Sequence, residues 1–424
     1  MTEWPSSISI SSLLILSALC MWVFYRSRRA IKSYPPGPPG HALFGNLWEM
    51  PSENAMIRFR DWCKTYGTSY LGPIIHLWVP GQVIIILDKF QAAVDLLEKR
   101  SLIYSDRPTL HMLRDVIGWD WSVVMLNYGE RFKKHRKAFY QGLNSDMKHY
   151  SELQENVTAP FHMRTSNLKF AHTSIGISTT TSQTPGRSLK FHGPLWGRSL
   201  LSRVTYGYDP DLSNDRYVWL AKELEHVIAD VARPGAYLVD TVPLLKYIPS
   251  WFPGAGFKRR AKVWSAMVTE LLETPFEYVI EQMQKGSAPP SYVASMLKDK
   301  QDTLSPEAKN VIKETAAVVH IGKIYAAVQS LLLVLVLYPE VQKKAHEEID
   351  TMIGSERLPG LNDRDQLPYI HNMVSEMLRW TRSVPLGVAH ELKQDDHYNG
   401  MFFPAKSLVI ANIWQVNDER RRSV

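Results

Sequence analysis

Leu367-Pro368-Tyr369-Ile370, Glu376-Met377-Leu378-Arg379-Trp380, Pro385-Leu386-Gly387, His390, Asp395-Asp396, Tyr398, Gly400, Pro404 and Val409-Ile410-Ala411-Asn412-Ile413-Trp414 succeed one another in this order in a chain of 424 residues. The run from Gln366 to Trp380 reads as an amphipathic helix. Glu376 and Arg379 lie one helical turn apart and can form an ion pair. Such a pair alone carries little information, because roughly one is expected by chance in a chain of this length. The order of the motifs downstream of it is more telling: His390 to Trp414 reads as short strands, with turns at Asn399-Gly400 and Pro404.

Outward from this run, helices dominate. Pro339 opens a helix, and Ser305-Pro306-Glu307 is a strong helix start: an N-cap serine, proline at the first helical position and an acid in the first turn. That helix is expected to continue to Tyr338, and its apolar second half, Ile324 to Tyr338, suits a path through the protein core. Ala261 to Met283, Asp215 to Val231, Phe90 to Lys99 and Asn54 to Tyr66 read as helices, and Arg131 to Leu143 as a basic one. Ile74 to Trp78 and Val83 to Leu87 read as strands of a hairpin around Pro80-Gly81. Residues 156–202 show neither a helical nor a strand period and read as a long loop. The chain is therefore expected to be mainly α with small β-sheets.

From Ser6 to Tyr25 there is no charged side chain, while Arg26, Arg28, Arg29 and Lys32 come directly after. About 20 helical residues span the roughly 30 Å of a bilayer's hydrocarbon layer. Positive flanks stay in the cytosol, so residues 6–25 are expected to be a single transmembrane anchor with the body on the cytosolic side. Residues 26–40 form a basic linker ending in Pro35-Pro36-Gly37-Pro38-Pro39-Gly40, which reads as a semi-rigid strut. The remainder, 41–424, is the body.

Composition is that of a globular protein, 45% apolar and 21% charged, with a formal net charge of +7. The basic excess suits an acidic partner or an anionic membrane surface. No basic block with interleaved aromatics argues for nucleic acid. The two cysteines, Cys20 and Cys63, exclude a disulfide framework and a multi-thiolate zinc site. There is no G-x-S-x-G elbow, no H-E-x-x-H zinc helix and no phosphate-cradling G-x-x-x-x-G-K loop.

Taken with the proline strut, Phe44-Gly45-Asn46, Arg107-Pro108, Asn127-Tyr128-Gly129 and the stretch Tyr338 to Asp350, the run from Leu367 to Trp414 resembles the cytochrome P-450 superfamily. It is most similar to fungal, microsomal-type haem-thiolate monooxygenases, over about four fifths of the chain. The resemblance implies a haem cofactor, an NADPH-dependent reductase as partner, an endoplasmic reticulum membrane location and an apolar small-molecule substrate, as in fungal secondary metabolism. It implies that Arg136 binds a haem propionate, with Phe132 in the place of the family's tryptophan, and that His390 holds the other propionate. It makes Glu376 and Arg379 a buried structural ion pair. It places substrate entry along the stretch from Tyr237 to Phe252, and reductase docking on the basic helix around Arg136.

The chain departs from the family's pattern in three places. The F-x-x-G-x-R-x-C-x-G loop that carries the axial cysteine is not found, so the body reads as an incomplete, C-terminally truncated P-450-like fold. The acid-threonine pair of the core helix is absent near Gly322, where the chain reads His320-Ile321-Gly322-Lys323-Ile324-Tyr325. Residues 156–202 fall where the family has two helices. The expectation is a monooxygenase by descent that is inactive as written. The alternative is a non-catalytic, membrane-tethered protein that binds a ligand or a partner.

Overall fold

The computed structural model describes residues 34–144 and 193–415, apart from positions 52, 68–72, 212–213, 234, 299–302, 323, 355, 358 and 381–383. The expected anchor at 6–25 and the basic part of the linker lie outside the described residues. Among the described residues no helix is long and apolar enough to cross a membrane. Two compact units are formed, one from the chain up to Pro108 with the chain from Leu386 onward, the other from Thr109 to Pro385.

The first unit is built on a four-stranded mixed sheet. Helix α1 (Ala55–Tyr66) precedes the hairpin of β1 (Ile74–Val79) and β2 (Gln82–Leu87). Val79 pairs with Gln82 across Pro80-Gly81, and Gly81 takes a φ of 79°, the left-handed conformation glycine adopts without strain. After β3 (His390–Glu391), β4 (Asp396–Tyr398) and β5 (Met401–Phe403), strand β6 (Leu408–Ala411) returns to lie parallel to β2, Ile84 opposite Leu408. The sheet order is β1-β2-β6-β3. Strand β2 is central and covered on both faces, so Ile84, Ile85, Ile86 and Leu87 can all be apolar rather than alternating. Ile85, Leu87 and Val409 face Leu96, Tyr104 and Phe403, whereas Ile84, Ile86 and Ile410 face Phe59, Trp62 and Cys63. β4 and β5 form the expected hairpin over Asn399 and Gly400, both at positive φ.

The proline strut does more than space the chain. Tyr34 stacks on the His76 ring at 5.3 Å, and the His76 backbone N–H donates to Pro36 O at 3.0 Å. A Cβ on Gly37 would lie 2.0 Å from the His76 carbonyl oxygen, so only glycine lets the strut lie against β1.

The second unit is helical: α2 (Glu130–Asn144), α3 (Gly193–Tyr206), α4 (Arg216–Val231), α5 (Gly256–Gln284), α6 (Tyr292–Leu297), α7 (Pro306–His320), α8 (Ile324–Leu337), α9 (Pro339–Met352) and α10 (Pro368–Trp380). Two starts are set as the sequence dictates. Ser305 Oγ accepts from the Ala308 N–H at 3.2 Å, and the Asp215 carboxylate accepts from the N–H groups of Tyr217 and Val218.

Two expectations fail. Residues 193–202, read as loop, begin α3. From Arg198 to Ser202 and again from Val204 to Tyr206 every side chain is buried. A helix enclosed all round has no amphipathic period to read. The helix expected from Ser305 to Tyr338 breaks after His320. The Gly322 N–H turns back to Val319 O at 3.0 Å, and a Cβ on Gly322 would sit 2.9 Å from that oxygen. Shortening a continuous helix rotates everything downstream; the break lets α8 start afresh in its own phase.

The break leaves His320 in an unusual setting. Its ring is 2% exposed and lies edge-on to Tyr206 at 5.4 Å. Neither ring nitrogen meets hydrogen-bond geometry with a partner among the described residues, although the Tyr217 backbone is near. Burial pushes the imidazole down to about 4 from its ordinary 6.5, with the Arg198 guanidinium adding to the shift and Asp215 opposing it. Between these pH values the unfolded chain binds a proton that the folded chain excludes. Stability is therefore full above pH 6.5 and falls as pH drops toward 4, by about 3 kcal/mol. Guanidinium unfolding at pH 7 and pH 4.5 is expected to show this loss in the wild type and a smaller loss in His320→Leu. Equal losses in the two proteins would refute the assignment.

Candidate functional site

Helix α2 carries two of the expected cofactor residues. Glu130 stands in its first turn, where an acid favours the helix dipole. Around its axis the residues divide. Arg131, His135, Ala138 and Gly142, spaced i, i+4, i+7 and i+11, share one face, and of these His135, Ala138 and Gly142 are buried. Phe132, Arg136 and Tyr140, at i, i+4 and i+8, form a second, more open stripe. Arg136 lies over the Tyr140 ring at 5.6 Å and makes no ion pair among the described residues. Phe132 is half-buried, its ring 5.8 Å from that of Tyr128. A planar guanidinium with free N–H groups beside aromatic faces is chemically suited to a carboxylate fork.

The buried face is tied to two neighbours. Tyr292 of α6, fully buried, donates to Ala138 O at 3.1 Å and shares a 2.8 Å hydrogen bond with the Thr315 hydroxyl of α7. A Cβ on Gly142 would meet the Tyr292 ring at 2.0 Å, so glycine lets α2 pass over that ring. His135 reaches Glu314 of α7, and Lys134 reaches Glu307 at 2.7 Å.

His390 lies in the other unit, on β3. Its Nδ1–H donates to Tyr104 O at 2.7 Å. Burial, then the Arg107 charge, pushes the ring down to about 4, against the opposing bond to Tyr104. It is a neutral imidazole at neutral pH, with Nε2 left as an acceptor, and holding an anion there requires protonation. No motif in the sequence gave Arg107 a role at the site. Its guanidinium donates to Val388 O and Ala389 O at 2.7 and 3.0 Å, next to His390. The signal available for it was the Arg107-Pro108 motif, which marks its position but not its partners.

Glu376 and Arg379 do pair on α10, Arg379 Nε donating to Glu376 Oε2 at 2.7 Å. The pair is not buried as expected: the Glu376 side chain is 55% exposed. Among the described residues, of the stretch Glu376 to Trp380 only Met377 is buried.

A haem fits these residues in part. Arg136 has the donor chemistry for a propionate. The iron is another matter: Cys63 is 1% exposed in the core beneath the sheet, and burial and Asp88 hold its thiol far above the usual range, so it is no thiolate ligand. Among the described residues no group of His, Cys, Asp and Glu is placed to hold a metal ion. The Thr315 hydroxyl lies between the Tyr292 hydroxyl and the Val311 carbonyl, 2.8 and 2.7 Å away, so its one proton is engaged inside the core, and it does not replace the missing acid-threonine pair.

The family model described as Cytochrome P-450 matches residues 35–186 and 198–421. A cytochrome P-450 monooxygenase of Coprinopsis cinerea is 36% identical over 409 residues, covering 95% of this chain and 74% of its own length. A cytochrome P-450 monooxygenase of Postia placenta is 35% identical over 412 residues, 95% of this chain and 75% of its own. The tryptamine 4-monooxygenase of Psilocybe cyanescens is 34% identical, over 95% of this chain and 77% of its own.

Gly142→Ala tests the packing of α2. In an ordinary helix the change stabilises by roughly 0.5–1 kcal/mol. Here the new methyl meets the Tyr292 ring, and the expected outcome is a loss of about 1–3 kcal/mol, read as a lower Tm. A raised Tm would show that the two helices do not pass this closely.

Proposed function

Since this chain belongs to the cytochrome P-450 family, a family of haem-dependent monooxygenases that take electrons from a redox partner, we propose that it is a membrane-tethered member acting on an apolar small molecule of secondary metabolism. The names of the relatives support a monooxygenase, and that of the tryptamine 4-monooxygenase a small-molecule substrate. The observation that carries the reading is the Phe132–Arg136–Tyr140 stripe: a guanidinium free of acid partners among the described residues, on the helix the family uses for its cofactor. When bound, the haem supplies dioxygen activation. Within the helical unit, Arg136 would hold a propionate and Phe132 would shield its edge without the indole N–H of the family's tryptophan. Within the first unit, His390 could hold an anion only once its ring is protonated.

Access and tethering rest on the stretch Tyr237 to Phe252. Leu238, Leu244, Tyr247 and Trp251 are exposed there. Lys258 Nζ donates to the carbonyls of Lys246 and Ile248, and Arg259 to Ser250 O at 2.8 Å. Exposed apolar and aromatic side chains rimmed by cations suit an anionic bilayer surface and the entry of an apolar substrate from it. The apolar run at 6–25 supports a single anchor in the endoplasmic reticulum membrane, with the body cytosolic.

Haemin titration of the full chain tests the seat. Saturable binding is expected, and Arg136→Ala is expected to weaken it by about tenfold, the order of one charge-assisted hydrogen bond. Absence of saturable binding would favour a non-catalytic ligand- or partner-binding protein. With Cys63 locked in its core, Cys63→Ser is expected to leave the spectrum of the reduced, carbon-monoxide-bound form unchanged. A changed spectrum would show that Cys63 reaches the iron.

A further inference from the structure

The link between His135 and Glu314 lies inside the second unit and has no part in the seat just described. The His135 side chain is 2% exposed. Its Nδ1–H donates to Arg131 O at 2.8 Å, one turn back on the same helix, and Nε2 meets Glu314 Oε2 of α7 at 2.5 Å. The ring is thus held at both edges, by the backbone of its own helix and by a carboxylate on the neighbouring one. Arg131 extends the link, 3.5 Å from Glu314 and 3.3 Å from Asp120.

This geometry constrains one degree of freedom above others. Tyr292 and Gly142 fix how closely α2 approaches its neighbours, and Lys134–Glu307 is an exposed pair of long, mobile side chains, weak by nature. A short, rigid imidazole bonded at both edges fixes the rotation of α2 about its own axis. Arg136 comes directly after His135, and its stripe lies roughly a third of a turn around the helix from the buried face. A rotation of about 30° would carry a group some 6 Å from the axis by about 3 Å, the length of a hydrogen bond.

We propose that His135, held by Glu314, is a positioning residue that sets the rotation of α2 and so aims the Arg136 guanidinium at the carboxylate it binds. The inference rests on the reading of Arg136 as a propionate ligand. His135 touches no cofactor; it acts through Arg136 alone.

A double-mutant cycle in haemin affinity, measured on the full chain, tests this. His135→Leu is expected to weaken haemin binding about fivefold to tenfold when Arg136 is present, because a charge-assisted bond loses strength as its alignment is lost. In an Arg136→Ala background it is expected to have no further effect, since there is no guanidinium left to aim. Glu314→Gln, which keeps the shape and a neutral hydrogen bond, is expected to give a smaller loss with the same dependence on Arg136, and it serves if His135→Leu fails to fold. Hydrogen exchange of the amides at 130–144 in the apoprotein is expected to remain slow in Glu314→Gln, showing that the helix itself persists. Equal losses in both backgrounds would mean that His135 only stabilises the fold, and would overturn the proposal. If Arg136→Ala weakens binding while neither His135→Leu nor Glu314→Gln does, the positioning role falls and the reading of Arg136 stands. If Arg136→Ala has no effect, both fall.

Discussion

Tyr292 is the joint on which the helical unit depends. Its hydroxyl, fully buried, links the Ala138 carbonyl of α2 to the Thr315 hydroxyl of α7, while its ring fills the space above Gly142. A buried hydroxyl must be satisfied, or its desolvation goes uncompensated. Here one group satisfies two partners on two helices, so neither helix can shift without exposing an unpaired polar atom. The surrounding cluster of Tyr206, Phe276, Val279, Val293, Leu297, Ile312 and Ala316 packs on this joint. Thr315 is consumed by it, which removes from α7 the hydroxyl nearest to the family's expected oxygen-handling position.

The same unit tolerates polarity elsewhere at a cost. Arg198 and Glu225 pair at 3.1 Å, each 6% exposed, between α3 and α4. The Ser202, Thr205 and Tyr206 hydroxyls, at i, i+3 and i+4 on α3, are buried without a hydrogen bond among the described residues. His320 faces the same region across Tyr206. The break between α7 and α8 lies beside this seam, since a Cβ on Gly322 would lie 3.8 Å from Leu201 of α3. The cost is concentrated beside the break and spares α2, whose buried face is fully paired.

Part of the local geometry around the candidate residues was legible in the sequence. The spacing of Phe132 and Arg136 places them on one helical face, and the structure draws that face as a stripe completed by Tyr140, which no motif had marked. The Glu376–Arg379 pair was legible as an ion pair but not as an exposed one, since spacing reports reach and says nothing of cover. Arg107 and His135 were missed for a different reason. Their partners are a loop carbonyl some 280 positions away, Val388, and a carboxylate 179 positions away, Glu314. No local pattern announces such a partner.

The sequence by itself determined what depends on neighbours a few residues apart. The N-cap at Ser305, the helix opening at Asp215, the turns at Pro80-Gly81 and Asn399-Gly400, the amphipathic helices and the family all come from local chemistry and from the order of short motifs. Only the tertiary structure decided the helical state of residues 193–202, the break at Gly322, the docking of the proline strut on β1 and the parallel pairing of β2 with β6. Each of these rests on burial from every side or on contacts between distant segments. The free energy of such features comes from packing and from hydrogen bonds made across the chain, and a periodicity read along it does not carry that information.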